Sequence, residues 1–291
     1  MKAPPFGYVR ATSLNDVFAR WSAAGRDARL LAGGQSLLAT LAFRLSEPAT
    51  LIDIGRVAEL GGITEVSGAI HVGALTTHSE LAGNALIARH VPLLAQAAPL
   101  IAHPAIRNRG TIGGSLAFAD PAAELPACCV TLEATIIARN AKRERRISAD
   151  RFFTGLYGTA LAEDELIAGI EFPKARPDER VTIEELTRRS GDYAMAGVVV
   201  RARVTGRTLI EPRIVFFGVG EKPVVGARAM AAVAGQQVTS ATLAAAHSAL
   251  DADLDPPEDQ HGSPAMKRHL ARVVLARALA RIAAPEGAHP A

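Results

Sequence analysis

Two short runs carry residue types suited to holding an anion: Ala32-Gly33-Gly34-Gln35-Ser36 and Thr111-Ile112-Gly113-Gly114-Ser115. A Gly-Gly pair has no side chains to obstruct its backbone, so consecutive N–H groups can converge on one negative charge. Two such loops in one chain could grip a diphosphate. The same residues also suit two tight turns between packed elements, and on spacing alone both readings stand. Neither run matches G-x-G-x-x-G or carries the lysine of G-x-x-x-x-G-K-[ST], so a Rossmann site and a P-loop are poorly supported.

The other reactive residue types point to less. Ser36 in Gly34-Gln35-Ser36-Leu37-Leu38 and Ser115 in Gly113-Gly114-Ser115-Leu116-Ala117 both lack the last glycine of a G-x-S-x-G nucleophile elbow. Eight histidines, at positions 71, 78, 90, 103, 247, 261, 269 and 289, form no H-E-x-x-H and no close pair, so neither a metal ligand nor a catalytic residue is assigned. Cys128 and Cys129 are adjacent in the apolar stretch 125–132; burial is expected, and this chain alone cannot hold a cluster that needs four thiolates. Asp120 and Glu124 follow the second run and suit acid–base work or hydrogen bonds to ligand hydroxyls, with capping around Pro121 as the bland equivalent. Lys142-Arg143-Glu144-Arg145-Arg146 reads as a solvated turn or a docking rim.

These residues must be positioned by a sizeable core, which 291 residues at 49% hydrophobic and 21% charged can supply. The net charge of +3 comes from 32 basic and 29 acidic residues interspersed along the chain, with 4% aromatics; nucleic-acid binding is not implied. No apolar stretch approaches a membrane span, and MKAPPFGYVR lacks an apolar h-region or twin arginine, so a cytoplasmic protein is expected. Leu14, Val17, Phe18 and Trp21 predict a helix over 13–24 capped by Ser13. Strands are expected at 29–32, 50–54, 134–138 and 166–172, and a hairpin at 63–72 around Ser67-Gly68. The stretch 85–101 reads as a helix interrupted near Pro92. Residues 173–180 look like a domain boundary; strands 197–204 and 208–218 and helices 240–250 and 264–282 follow it, with 251–263 an acidic connecting loop. The order suggests α+β in two parts.

In the order and spacing of the two glycine runs, the chain resembles the FAD-binding medium subunit of molybdenum hydroxylases, the group that includes carbon monoxide, quinoline, nicotine and caffeine dehydrogenases. The likeness extends to Pro5-Phe6-Gly7-Tyr8, Ile106-Arg107-Asn108-Arg109-Gly110, Ala119-Asp120-Pro121-Ala122-Ala123-Glu124, Glu165-Leu166-Ile167, Arg188 to Ala194 and the helical tail. It implies a vanillyl-alcohol-oxidase (PCMH)-type FAD-binding fold: two α+β subdomains over 1–175, split near 55, then a C-terminal flavoprotein domain of antiparallel strands and helices over 176–291. It further implies non-covalent FAD, with Ala32, Gly33, Gly34, Gln35, Ser36 and Leu37 together with Thr111, Ile112, Gly113, Gly114 and Ser115 at the diphosphate and ribityl chain. Ala102, Asp120 and Glu124 join these contacts, Leu166 and Ile167 offer backbone near the adenine, and Tyr193 covers the isoalloxazine.

The partners implied are a small subunit with two [2Fe–2S] clusters and a large molybdopterin subunit, in a dimer of heterotrimers that delivers electrons to an external acceptor. Carbon monoxide enzymes resemble Ala-Gly-Gly-His-Ser at the first run; Gln35 departs from this and points to an N-heterocycle or other aromatic as the substrate of the large subunit. The alternatives are a self-sufficient flavin-dependent reductase or oxidase of the same fold, and a flavin-free scaffold whose glycine runs are turns.

Overall fold

The computed structural model describes residues 2–284. The chain opens with a parallel three-stranded sheet of β1 (Gly7–Arg10), β2 (Ala28–Leu31) and β3 (Thr50–Asp53), in the order β1-β3-β2. Parallel neighbours require crossovers. These are α1 (Leu14–Ala24) and α2 (Leu37–Ala42). Ser13 caps α1 as its spacing predicts, its Oγ accepting from the Asp16 N–H at 3.2 Å. Leu14, Val17 and Phe18 pack on Ile52, Ile54 and Leu60 in a small core of their own.

A five-stranded antiparallel sheet follows, built from β4 (Ile63–Val66), β5 (Ala69–Gly73), β6 (Thr135–Arg139), β7 (Glu144–Ser148) and a later strand, β10 (Leu166–Pro173), in the order β4-β5-β10-β6-β7. Between β5 and β6 run six short helices: α3 (His78–Gly83), α4 (Ala85–His90), α5 (Pro92–Ala97), α6 (Pro104–Arg107), α7 (Ile112–Phe118) and α8 (Glu124–Thr131). Pro92 starts α5, and Pro104 starts α6 where the sequence suggested only an end; proline at the first helical position forfeits no bond. Helix α9 (Ala149–Phe152) and a ribbon of β8 (Phe153–Gly155) with β9 (Gly158–Thr159) lead into β10.

The third sheet, β11 (Glu179–Thr187), β12 (Ala194–Thr205), β13 (Thr208–Phe217) and β14 (Val224–Val225), is antiparallel in chain order. Side chains alternate across a strand. Thus Val199, Val215 and Phe217 join the core containing Leu125 and Cys128 of α8, whereas Val198, Val200, Ile214 and Phe216 join Leu275 and Leu279 in the core below the last helix. That helical layer comprises α10 (Ala227–Val233), α11 (Ser240–Asp253) and α12 (Pro264–Ala283). Among the described residues, no helix is long and apolar enough to cross a membrane.

Two expectations are corrected here. The run 142–146 is not a solvated turn: its second half lies in β7, and its arginines reach back across the sheet, Arg146 to Glu171 and Arg145 to Glu165. The Glu165 side chain is 0% exposed and receives the Arg145 guanidinium through two bonds, at 2.7 and 2.5 Å, and these hold its carboxyl below the usual range. Glu165→Gln is expected to destabilise the protein by about 2 kcal/mol at pH 7, the worth of a hydrogen bond to a charged group. Because the native pKa is lowered, the penalty shrinks as the pH falls through the carboxylate range; urea midpoints at pH 7 and pH 4 check it. Secondly, Gly113-Gly114 is not a loop but the first turn of α7.

Candidate cofactor site

The first glycine run leaves the carboxyl end of β2, where ligands commonly bind in open parallel sheets. Gly34 has φ +74°, a left-handed conformation that disfavours any side chain. Among the described residues, the backbone N–H groups of Gly33, Gly34, Gln35 and Ser36 donate to no protein acceptor, although Gln35 Nε2 braces the loop by donating to Gly33 O at 2.9 Å. Consecutive free amides are an anion cradle, and buried or half-buried donors of this kind need a partner.

The second run is built on a different principle. Thr111 caps α7, its Oγ1 accepting from the Gly114 N–H at 3.1 Å, and its carbonyl takes the Ser115 N–H at 3.0 Å. The Ile112 N–H goes to Thr76 O at 3.0 Å and that of Gly113 to Ala74 O at 2.8 Å. All four amides are engaged, so the diphosphate-cradle reading applies to the first run and not to the amides of the second. Here glycine allows close packing instead. A Cβ on Gly113 would lie 2.6 Å from Ala74 Cβ, while one on Gly114 would meet only Thr111 Oγ1, at 2.9 Å, so that face of α7 stays open.

The two runs lie back to back. A Cβ on Gly33 would stand 2.0 Å from Arg109 O and 2.7 Å from its carbonyl carbon. Behind this contact is His78, which sequence reasoning left unassigned. Its backbone N–H donates to Gly110 O at 3.0 Å, and burial pulls its imidazole down to about 4, leaving a neutral wedge that fixes the approach to α7. The available signal was the Thr77-x-x-Glu80 capping box, which places His78 first in α3.

A second cluster gathers at the far end of α7. Asp120 Oδ1 accepts from the Ala122 N–H at 2.9 Å, and burial raises the Asp120 carboxyl. Glu124, the first residue of α8, is pushed up to about 8 by burial, by the facing Glu185 and by Asp120. Tyr193 arrives from the β11–β12 loop, 53% exposed, its phenol pushed up to about 12 by burial and then by Asp120, Tyr157 and Glu124. The loop is seated by Gly191, φ +79°, whose Cβ would lie 2.6 Å from Ala102 O. Ala102 itself has φ +44° and its carbonyl accepts from Arg107 Nη1 at 2.9 Å. Tyr157, another residue not anticipated, leans on Phe118 of α7 with ring centroids 5.1 Å apart.

Leu166 and Ile167 lie in β10 with buried side chains, so only their backbone can meet a ligand. Pairing with β5 starts at Gly169, beyond an irregularity at Ala168, which leaves that edge of Leu166 and Ile167 unpaired by β5. His289 lies outside the described residues; the other histidines form no group with Cys, Asp or Glu that could hold a metal among the described residues.

An amide cradle at one end, a packed helix start beside it and an aromatic-and-carboxyl cluster beyond suit an elongated molecule with a diphosphate, hydroxyl groups and a flat ring. The class so defined is a flavoprotein holding FAD between α+β subdomains. Residues 4–175 match the family model for the FAD binding domain in molybdopterin dehydrogenase, and residues 182–282 that for the CO dehydrogenase flavoprotein C-terminal domain. The 6-hydroxypseudooxynicotine dehydrogenase complex subunit alpha of Paenarthrobacter nicotinovorans is 37% identical over 97% of this chain and 95% of its own. The carbon monoxide dehydrogenase medium chain of Hydrogenophaga pseudoflava is 36% identical over 96% of this chain and 97% of its own. A solved carbon monoxide dehydrogenase structure from that organism superposes with TM-score 0.93 at 37% identity, over 97% of this chain and 98% of the other. Quinoline 2-oxidoreductase from Pseudomonas putida 86 does so with TM-score 0.92 at 36% identity, over 97% and 98%. The chain belongs to this family: it is an FAD-binding medium subunit of the molybdenum hydroxylases. The α+β flavin fold and the FAD cofactor expected from the sequence are met.

Proposed function

We propose that this subunit carries electrons out of a heterotrimeric molybdenum hydroxylase, taking them from the [2Fe–2S] clusters of a small subunit and passing them to an external acceptor, while a large molybdopterin subunit hydroxylates an N-heterocycle or other aromatic. FAD, when bound, accepts electrons singly and releases them in pairs. In this reading residues 1–175 form the FAD-binding domain, residues 176–291 complete it, and two heterotrimers pair.

The observation that carries the reading is the run of free amides over Gly33 to Ser36 beside the buried carboxyl cluster. The Ala32–Leu37 loop binds the diphosphate through its N–H groups. Thr111 to Ser115 present a bare helical face on which the ribityl chain lies, with Gly114 as the point of closest approach. Ala102 and Glu124 border that chain, Asp120 accepts from its hydroxyls, and the backbone of Leu166 and Ile167 faces the adenine half. Tyr193 and Tyr157 exclude water from one side of the flat ring. No residue of this chain needs to act as a base, because the oxidised substrate sits on another subunit.

The visible spectrum of the purified chain, followed by acid release of its chromophore, tests the assignment; a colourless protein that also refuses added FAD would end it. Co-purification with an iron–sulfur and a molybdopterin subunit separates the complex from a self-sufficient flavin enzyme. Within the site, Tyr193→Ala is expected to shift the flavin bands and weaken FAD binding about tenfold without abolishing it, the cost of about 1.4 kcal/mol of lost aromatic contact. An unchanged spectrum and affinity would remove Tyr193 from the site.

A further inference from the structure

The buried acid opposite Glu124 has a role of its own. Glu185 lies in β11, two residues beyond Ile183; strand alternation puts both on one face, and Ile183 belongs to the core that includes Leu125 and Cys128 of α8. Glu184 faces the opposite way, toward Arg281 of α12 at 2.8 Å. The neighbour of Glu185 across the ladder is Gly197, whose missing side chain admits the Phe217 ring. Glu185 Oε2 is buried and has no hydrogen-bond partner, and Glu124 makes no side-chain hydrogen bond among the described residues. Neither carboxyl joins any of the ion pairs of the described residues. Two desolvated carboxyls facing each other without a cation cannot both ionise at little cost. Burial accordingly pushes Glu185 up to about 7, against about 8 for Glu124.

We propose that Glu185 is a positioning residue for the cofactor: it shares one proton with Glu124 across the α8–β11 contact, and this proton is released when the hydroxyls of bound FAD donate to Glu124. The inference rests on the cofactor reading above. No covalent bond changes; a proton held between two carboxyls passes to solvent and the hydroxyl hydrogen bonds take over the carboxylate. The groups facing the pair are Cys128 one turn along α8, Asp120 at the end of α7, and Tyr193 from the β11–β12 loop, with Tyr157 and His261 reaching Asp120. Burial keeps the Cys128 thiol and the Tyr193 phenol protonated through neutral pH, and Asp120 is controlled by substitution.

The test is FAD binding to the flavin-stripped full chain by fluorescence titration from pH 6 to pH 9, with calorimetry at pH 7 in two buffers of different ionisation heat to count protons. For the unaltered chain, affinity should rise several-fold between pH 6 and pH 8, with release of a sizeable fraction of one proton at pH 7. Glu185→Gln should flatten the pH dependence and lower the proton count, whereas Asp120→Asn should keep the slope even if it weakens binding. No proton release by the unaltered chain, or an identical slope in Glu185→Gln, overturns the proposal. The first of these needs no variant to fold. Failure of the unaltered chain to bind FAD at any pH would instead overturn the cofactor reading itself.

Discussion

Gly33→Ala is expected to strip FAD from the protein almost completely, lowering affinity at least a hundredfold. The added methyl would sit 2.0 Å from Arg109 O and 3.0 Å from Gly110 Cα. Both obstacles are backbone, and Gly110 is itself held by the Ile106 carbonyl, at 2.7 Å, and by the His78 N–H. The methyl can be accommodated only by separating the two glycine runs, which moves the free amides of Gly33 to Ser36 off their common focus. Overpacking of this kind costs about 1–3 kcal/mol, and the lost alignment adds to it at about 1.4 kcal/mol per tenfold. The ratio of flavin to protein absorbance after gel filtration reads the effect, with circular dichroism to confirm that the fold survives. Gly34→Ala is expected to weaken binding less, because at φ +74° the strain is local and the nearest atoms, Leu38 Cδ1 and Leu31 Cδ1, are ends of flexible side chains. Flavin content near that of the unaltered protein in Gly33→Ala would disprove the back-to-back arrangement as a requirement for binding.

Glu124→Gln should make the flavin-stripped protein more stable at pH 8, by roughly 3 kcal/mol. The sign follows from the environment. Burial and Glu185 raise the native pKa of Glu124 to about 8, far above that of an unfolded glutamate. The native state therefore holds a proton that the unfolded chain has already lost. Stability is fully present below the unfolded pKa and falls as pH climbs through about 8. A glutamine cannot ionise, so its stability profile should be nearly flat over that interval, crossing that of the unaltered protein near mildly acidic pH. Urea midpoints from pH 5 to pH 9 check this, and parallel curves would show that Glu124 is not held protonated.

Much of this was legible where the physics is local. The Ser13 cap, the Ser67-Gly68 hairpin, the proline-started helix α5 and the turn at Thr205-Gly206-Arg207 all act over a few residues, and the structure keeps them. What escaped was non-local. Strand β11 was read in part as boundary because Glu179, Arg180, Glu184 and Glu185 give it no clean alternation; its charged side chains are satisfied by Arg281 or set against α8, both far away in sequence. The engaged amides of the second glycine run depend on Thr76 and Ala74, acceptors more than thirty residues earlier. Arg145 and Arg146 likewise looked free because Glu165 and Glu171 stand beyond an intervening strand. Glycine runs reveal where backbones meet, not which amides remain free.

The third sheet is one layer with two masters. Val199, Val215 and Phe217 close the core over α8, while their alternate neighbours close a separate core over α12. Two family segments divide the chain in sequence, yet its largest core crosses that division. A fragment ending near residue 175 would bare Leu125 and Cys128 to water, as would exchange of the C-terminal segment for one with a different pattern of small and large residues. The two segments are therefore not interchangeable cassettes, and in evolution each must change in step with the other or be lost with it.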